Sequence, residues 1–353
     1  MANEKKTVRE PSFILALIPI VAMIGFMLYC FLGHSESGYH DAHMPLVLSI
    51  VVACIVGFIC GHSFQEMLAG MVERLAASME AVLILCTVGF LVTSFMASGA
   101  IPSLIVYGLD LLTPKLFLPI GCILCAIVGM ACGSSWTTTA TIGLAFLGIG
   151  AGLGIPAPIT AGMIISGAYV GDKFSPLSDT TNLAAAVAET GLFDHVTAMV
   201  STTGPTLLLS LILYTILGLN VDTSAYDPAV AQGIQDAFRG AFTISPLLLV
   251  PIIVVIVMCI LRVPGLVGIA ISVATATIFM MIFQSTDIYG SRALGDIFNT
   301  LHYGIGVETG NEVADSILGK AKGMDGTMWT INLILVALAY GGALERCGCI
   351  ERL

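Results

Sequence analysis

The sequence predicts an all-α polytopic membrane protein, and three observations carry that prediction. Of 353 residues, 57% are hydrophobic and only 10% are charged, against about 25% charged in an ordinary soluble domain. Apolar runs of spanning length recur along the whole sequence. A polar, charged break interrupts one of those runs. Mean hydropathy is +0.99, and a soluble protein of this length would need more polar surface to cover its cores.

The runs fall at roughly 12–32, 44–61, 80–98, 116–132, 138–155, 158–190, 197–219, 243–261, 264–283 and 327–344. Backbone N–H and C=O groups in hydrocarbon must bond internally, so each run reads as helix. Their length and their Leu, Ile, Val and Ala content exclude barrel strands, which take about ten residues of alternating pattern. Basic residues set the orientation. Lys5, Lys6 and Arg9 put the tail at 1–10 in the cytoplasm. The loop Gly33 to His43 has no Lys or Arg and falls outside. Arg74 and the turn at Arg262 fall inside, and the loops at 221–242 and 284–326 fall outside. The first run is long enough to span and stay, so no cleavable leader is expected.

The formal net charge of −10 and pI near 4.9 exclude nucleic acid as a partner, because that binding is driven by Lys and Arg on phosphates. Most of the ten cysteines lie inside apolar runs and read as small packing residues. Cys122 and Cys125 have redox or zinc spacing but no polar flank, and Cys347 with Cys349 is no stronger a signal.

The sequence divides into a first transmembrane repeat region at 11–220 and the start of a second at 243–353. Gly70 to Leu104 aligns without gaps on Gly319 to Leu353, a shift of 249. The identities are Gly70/Gly319, Met79/Met328, Gly99/Gly348, Ile101/Ile350 and Leu104/Leu353. Counting crossings, the two copies enter from opposite sides, as in inverted-repeat secondary transporters with broken or re-entrant helices. The second copy stops where the polar chemistry of the first begins. The second repeat is therefore expected to be incomplete and the protein to be C-terminally truncated.

Two polar segments carry that chemistry. The segment 133–141 reads GSSWTTTAT and holds Ser134, Ser135, Thr137, Thr138 and Thr139. An exposed loop and the tip of a re-entrant hairpin are both open readings. Hydroxyl oxygens and freed carbonyls suit a small hard cation such as sodium. The segment 171–182 lies between apolar half-helices at roughly 158–171 and 180–190. Gly171 lets the backbone leave the first, and Pro176 lacks an N–H and disfavours helix at Ser175. Such a break exposes carbonyls at one half-helix end and N–H groups at the other.

A charge at mid-bilayer costs about 2.5–3.5 kcal/mol. Asp172, Lys173 and Asp179 fall within one short stretch, beside Ser175, Ser178, Thr180, Thr181 and Asn182, so mere filler is disfavoured. The plainer reading is a surface turn in which Asp179 caps the second half-helix through Thr181 or Asn182, and it predicts no ion dependence. Glu80 reads as interfacial, Glu189 and Asp194 as solvated. His34, His40 and His43 read as a plain external loop ahead of a metal site or pH sensor. The glycines from Gly148 to Gly154 read as close helix packing.

GDKFSPLSDTTNLA, from Gly171, closely resembles the signature of the NhaC family of sodium/proton antiporters, within the ion transporter superfamily. GSSWTTTATIG resembles that family's upstream polar segment, and Glu308 to Glu312 with the later Gly-Met-Asp-Gly fits its long loop. The resemblance implies a secondary active transporter of the cytoplasmic membrane that exchanges sodium for protons, with no enzymatic activity and no resident cofactor. Sodium and protons are the transported species and the bilayer is the solvent. One branch of the family exchanges malate and protons for lactate and sodium, so a small organic anion is the alternative partner. Self-association into a homo-oligomer is compatible with either branch.

On this reading sodium and a proton compete for one carboxylate in the broken helix. Competition near neutral pH asks for a carboxyl whose proton affinity is raised by desolvation. The cation- and proton-binding set is Asp172, Asp179, Ser175, Ser178, Thr180, Thr181 and Asn182, with sodium at Asp179 and Asp172. Asp179 is favoured because hydroxyls flank it on both sides. Lys173 is a candidate counter-ion to the empty site, or a permanent partner of Asp172.

Overall fold

The structure is a computed structural model that describes residues 9–32, 41–175, 178, 180–181, 184–185, 188, 190–220, 228–261 and 263–353. From the N-terminus its α-helices are α1 (Phe13–Leu32), α2 (His43–Ile59), α3 (Phe64–Ala77), α4 (Met79–Ala97), α5 (Ala100–Leu111), α6 (Pro114–Cys132), α7 (Ser135–Thr138), α8 (Leu144–Gly152) and α9 (Ala157–Phe174). They continue as α10 (Leu192–Leu219), α11 (Pro228–Ala241), α12 (Val250–Ile260), α13 (Gly265–Phe283), α14 (Leu294–Tyr303), α15 (Glu312–Leu318), α16 (Asp325–Arg346) and α17 (Cys349–Arg352). A π-turn at Thr139–Gly143 joins α7 to α8. There is no strand among the described residues.

The all-α membrane reading holds, and the run boundaries are refined. Among the described residues four helices are long and apolar enough to cross a membrane: α1, α10, α13 over Leu266–Phe283, and α16. The number rises to six if two bent helix pairs each form one span. The ten runs yield fewer whole spans because several are short or broken. The 17 residues of α2 extend about 26 Å, short of the roughly 30 Å hydrocarbon core. The run at 138–155 contains the π-turn, and the run at 158–190 breaks after Phe174. The segments read as external loops are partly helical: α11 falls within 221–242, where 221–227 lie outside the described residues, and α14 and α15 fall within 284–326.

The protein forms two compact units, residues 1–86 with 328–353, and residues 87–327. In the first, α3 is a helix that hydropathy passes over, because Glu66, Glu73 and Arg74 dilute its apolar face. A capping box starts it. Ser63 Oγ accepts from the Glu66 N–H at 3.3 Å, and Glu66 Oε2 accepts from the Ser63 N–H at 2.8 Å, a pairing worth about 1 kcal/mol. Gly70 of α3 then crosses Gly342 of α16. A Cβ on Gly342 would lie 2.6 Å from Gly70 O, and one on Gly70 would lie 2.6 Å from Arg346 Cβ. Around this crossing Ala53, Met67, Ala343, Cys347 and Cys349 are fully buried. The Tyr340 hydroxyl donates to Pro19 O at 3.0 Å.

In the second unit α6 and α9 pack face to face through glycine. A Cβ on Gly171 would collide with Ala126 O and lie 2.6 Å from Met130 N. One on Gly129 would lie 2.8 Å from Ala168 O. Small residues let the two backbones touch, as in close membrane helix pairs. Gly148 instead leaves room for a side chain of α5: its Cβ would lie 2.6 Å from Ile105 Cδ1.

The two segments aligned by sequence share a local backbone form. Helix α4 ends at Ala97 and α16 at Arg346, each followed by a left-handed glycine, Gly99 (φ +81°) and Gly348 (φ +73°). Helices α5 and α17 then start at Ala100 and Cys349. A left-handed residue with a Cβ is strained, so glycine occupies both corners.

Candidate functional site

The first polar segment is a helix start, not an extended loop. Gly133 (φ +64°) ends α6 in the left-handed conformation. Ser134 is extended, and its Oγ accepts from the Thr137 N–H at 3.2 Å, capping α7. The threonines then bond back to the preceding turn. Thr138 Oγ1 donates to Ser134 O at 2.9 Å, Thr139 Oγ1 to Ser135 O at 2.8 Å and Thr141 Oγ1 to Thr137 O at 2.7 Å. The π-turn follows directly, a form that occurs mostly inside α-helices and is frequent at functional sites. Ser135, Thr137 and Thr138 are buried, Ser134 is half-buried and Thr139 is exposed.

The second polar segment begins in the last turn of α9. That helix stops at Phe174 with Ser175 extended as its C-cap, as expected for a residue before proline. Because Gly171 lies flat on α6, the next residue, Asp172, is carried into the interior, where it is 8% exposed. There Ser135 reaches it. The Ser135 N–H and hydroxyl both donate to Asp172 Oδ2, at 3.2 and 2.8 Å. Asp172 Oδ1 is buried and has no hydrogen-bond partner among the described residues.

Past the break, the Thr181 hydroxyl donates to the backbone oxygens of Asp172 and Lys173, at 3.3 Å each. The Thr181 N–H donates to Ser178 Oγ at 3.3 Å, and the Ser178 and Thr180 hydroxyls lie 2.9 Å apart. Thr181 thus ties the returning backbone to the end of α9. Ser175, Ser178 and Thr181 are buried, and Thr180 is exposed.

The structure therefore joins Asp172 to Ser135 and to Thr181. Lys173 is exposed and takes part in no ion pair among the described residues, which do not include Asp179. Pro176, Asp179, Asn182 and Glu189, like His34 and His40 and the side chain of Glu80, lie outside the described residues. His43 does not stand as a loop histidine. Its Nδ1 lies 2.5 Å from Asp41 Oδ1, and the Trp329 indole N–H donates to Asp41 Oδ2 at 3.0 Å. Sequence reasoning missed this cluster, and it missed the Ser135–Asp172 link, for which spacing offers no signal.

The oxygens gathered around Asp172 are those of hydroxyl, carbonyl and carboxylate groups. Hard oxygens of this kind suit an alkali cation better than a transition metal. No group of three or more His, Cys, Asp or Glu side chains able to hold a metal ion occurs among the described residues.

A family model described as the Na+/H+ antiporter family matches residues 167–353. The arginine/ornithine antiporter ArcD of Halobacterium salinarum is 36% identical over 347 residues, covering 97% of this protein and 69% of that relative. The Na(+)/H(+) antiporter NhaC of Alkalihalophilus pseudofirmus is 34% identical over 313 residues, covering 89% of this protein and 66% of that relative. The malate-2H(+)/Na(+)-lactate antiporter of Bacillus subtilis is 33% identical over 346 residues, covering 98% and 72%. The sequence thus spans 66–72% of the length of these relatives. No solved structure matches it significantly.

Proposed function

The protein belongs to the Na+/H+ antiporter family, and we propose that this multi-pass membrane protein exchanges sodium ions for protons at the carboxylate of Asp172. One observation carries the choice of residue. Asp172 is buried, with one oxygen held twice by Ser135 and the other without a partner among the described residues. A buried carboxylate left half-satisfied is unfavourable unless a proton or a cation neutralises it.

Both neutralising species require the same atom, Oδ1, so they exclude one another. Ser135 holds the group in one orientation by engaging Oδ2, leaving Oδ1 as the exchange point. The empty, charged site is the costly state in a membrane interior. Reorientation of the site is therefore favoured when it is occupied, which couples the exit of one ion to the entry of the other. Ser178, Thr180, Thr181 and the backbone oxygens at the end of α9 offer further oxygen ligands for sodium. The half-helix break supplies them, as in other transporters whose sites lie at discontinuous helices.

The test is sodium-driven proton movement in vesicles containing the purified protein and a trapped pH dye. Asp172→Asn should abolish the signal, and unaltered exchange in that variant would remove Asp172 from the mechanism. Asp179→Asn, assayed in parallel, decides whether the second carboxylate shares the role.

A second reading, exchange of an organic acid coupled to sodium and protons, is favoured by the malate-2H(+)/Na(+)-lactate antiporter among the relatives. Counterflow of labelled malate or lactate in the same vesicles separates the two.

A further inference from the structure

The spacing of Cys347 and Cys349 is a weak signal in the sequence, but the structure brings the two thiols into contact. Cys347 follows α16 and Cys349 begins α17. The Cys347 S–H donates to Cys349 Sγ at 3.1 Å and to Leu344 O at 3.3 Å. Gly348 between them is left-handed, at φ +73°, and turns the backbone sharply. Both cysteines are free thiols. They lie in the first unit, Asp172 lies in the second, and the exchange reading uses neither cysteine.

The corner does not need sulfur. The aligned corner at Gly99 takes the same local form with Ser98 and Ala100 in the two flanking positions. The fold of the corner therefore leaves a pair of touching thiols unexplained. Access suits a small oxidant. Cys347 belongs to the wall of a cavity of about 580 Å³ within the first unit. The charged lining is mixed, three arginines and four glutamates, so it favours no strongly charged visitor. Both cysteines are closed to solvent in the resting corner. Cys349 is the one buried residue of α17, so little apolar packing holds that short helix down, and segments with few buried contacts open locally at low cost.

We propose that Cys347 and Cys349 form a reversible redox site, which a hydroperoxide converts to a disulfide. The Cys347 sulfur attacks one peroxide oxygen, the O–O bond breaks, and the thiol proton leaves with the other oxygen. With hydrogen peroxide the products are a sulfenic acid and water. The Cys349 sulfur then attacks the Cys347 sulfur. The S–O bond breaks, and the hydroxide leaves with the Cys349 proton as a second water. The two sulfurs together lose two electrons, which the peroxide gains. From their contact they approach by about 1 Å more to reach an S–S bond of roughly 2.05 Å. The second thiol is nearer to the sulfenic acid than a second oxidant molecule, so the disulfide forms ahead of over-oxidation. A small dithiol reverses the step by exchange.

The test uses the unaltered protein, folded in detergent micelles. It is treated with hydrogen peroxide, unfolded in N-ethylmaleimide and cut with trypsin, which releases Cys347–Arg352 as a peptide whose cysteines are these two. After oxidation that peptide is expected without maleimide and two hydrogens lighter than the dithiol. Dithiothreitol given before the maleimide should restore the doubly labelled form. Cys349→Ser should abolish the light, unlabelled form, and Asp172→Asn should leave it intact. Doubly labelled peptide, at a peroxide dose that fully oxidises an added small thiol, overturns the proposal. So does a bond from either cysteine to Cys54 or Cys60, or a sulfonic acid in place of the disulfide. A disulfide that forms only when peroxide is added in denaturant overturns it too, because the folded corner then plays no part. The main readout needs no variant, so a Cys349→Ser protein that fails to fold leaves the test standing.

Discussion

Ser135 and Asp172, 37 residues apart in the sequence, meet twice at one atom, because the Ser135 N–H and hydroxyl both end on Asp172 Oδ2. The amide bond survives any substitution at 135 that keeps the N–H, and the hydroxyl bond does not. A hydrogen bond to a charged group contributes about 1.5–3 kcal/mol, and 1.4 kcal/mol is about tenfold in an equilibrium constant. Ser135→Ala should therefore weaken apparent sodium affinity roughly tenfold or more, with Ser135→Thr recovering part of it. Initial exchange rates against sodium concentration give the answer. An unchanged sodium dependence in Ser135→Ala would mean that the hydroxyl does not serve the exchanging carboxylate.

The packing of α9 on α6 should fail at Gly171. The atoms a Cβ would meet there, Ala126 O, Met130 N and Gly129 C, are all backbone, so nothing flexible is present to swing aside. Gly171→Ala is expected to destabilise the protein by about 1–3 kcal/mol and to impair exchange by displacing Asp172. Gly25→Ala in α1 is the control, since a Cβ there meets nothing within 4 Å. Thermal unfolding in detergent should separate the two variants clearly.

Gln284 latches the corner at Gly99. Its Nε2 donates to Ser98 O at 2.9 Å and Thr243 O at 3.2 Å, while its Oε1 accepts from the Thr243 N–H at 3.0 Å. The residue is 6% exposed, so water cannot readily replace these bonds. Gln284→Leu should cost about 1–3 kcal/mol for each buried group left unpaired. A melting temperature equal to that of the wild type would contradict the latch.

Asp41 should make the first unit acid-sensitive. The His43 hydrogen bond is the main cause that draws its carboxyl from 3.8 down to about 2; burial opposes the shift, and the Trp329 indole bond assists it. A depressed folded value means that this stabilisation is complete above about pH 4 and is lost as the pH falls through about 2. The sequence has two tryptophans, so Trp136→Phe leaves Trp329 as the reporter. Its fluorescence should change between about pH 4 and about pH 2, and Asp41→Asn should remove that change.

Much of the helix inventory was legible in the sequence, because hydrocarbon imposes an apolar composition on whatever spans it. The runs at 12–32, 197–219, 264–283 and 327–344 correspond closely to α1, α10, α13 and α16. The break before Pro176 was legible as well, since a missing N–H and a crowded preceding residue act locally. Helix α3 was not, because its Glu and Arg residues face outward while only Met67 and Gly70 are buried. Nor was α5, which follows α4 after a tight turn at Gly99 and is too short to register as a span.

By itself the sequence determined the solvent, the helical class and the two polar segments that interrupt the apolar pattern, because composition and local backbone chemistry fix these residue by residue; the family came from the likeness of the motif beginning at Gly171 to that of known antiporters. Only the tertiary structure decided which polar groups meet. Spacing weighed Asp172 against Asp179 by their sequence neighbours, whereas burial of Asp172 follows from Gly171 lying against α6, and its donor comes from Ser135, a helix away. A carboxylate's chemistry is set by what surrounds it within a few ångströms, and in this protein those atoms are brought from distant parts of the sequence by helix packing.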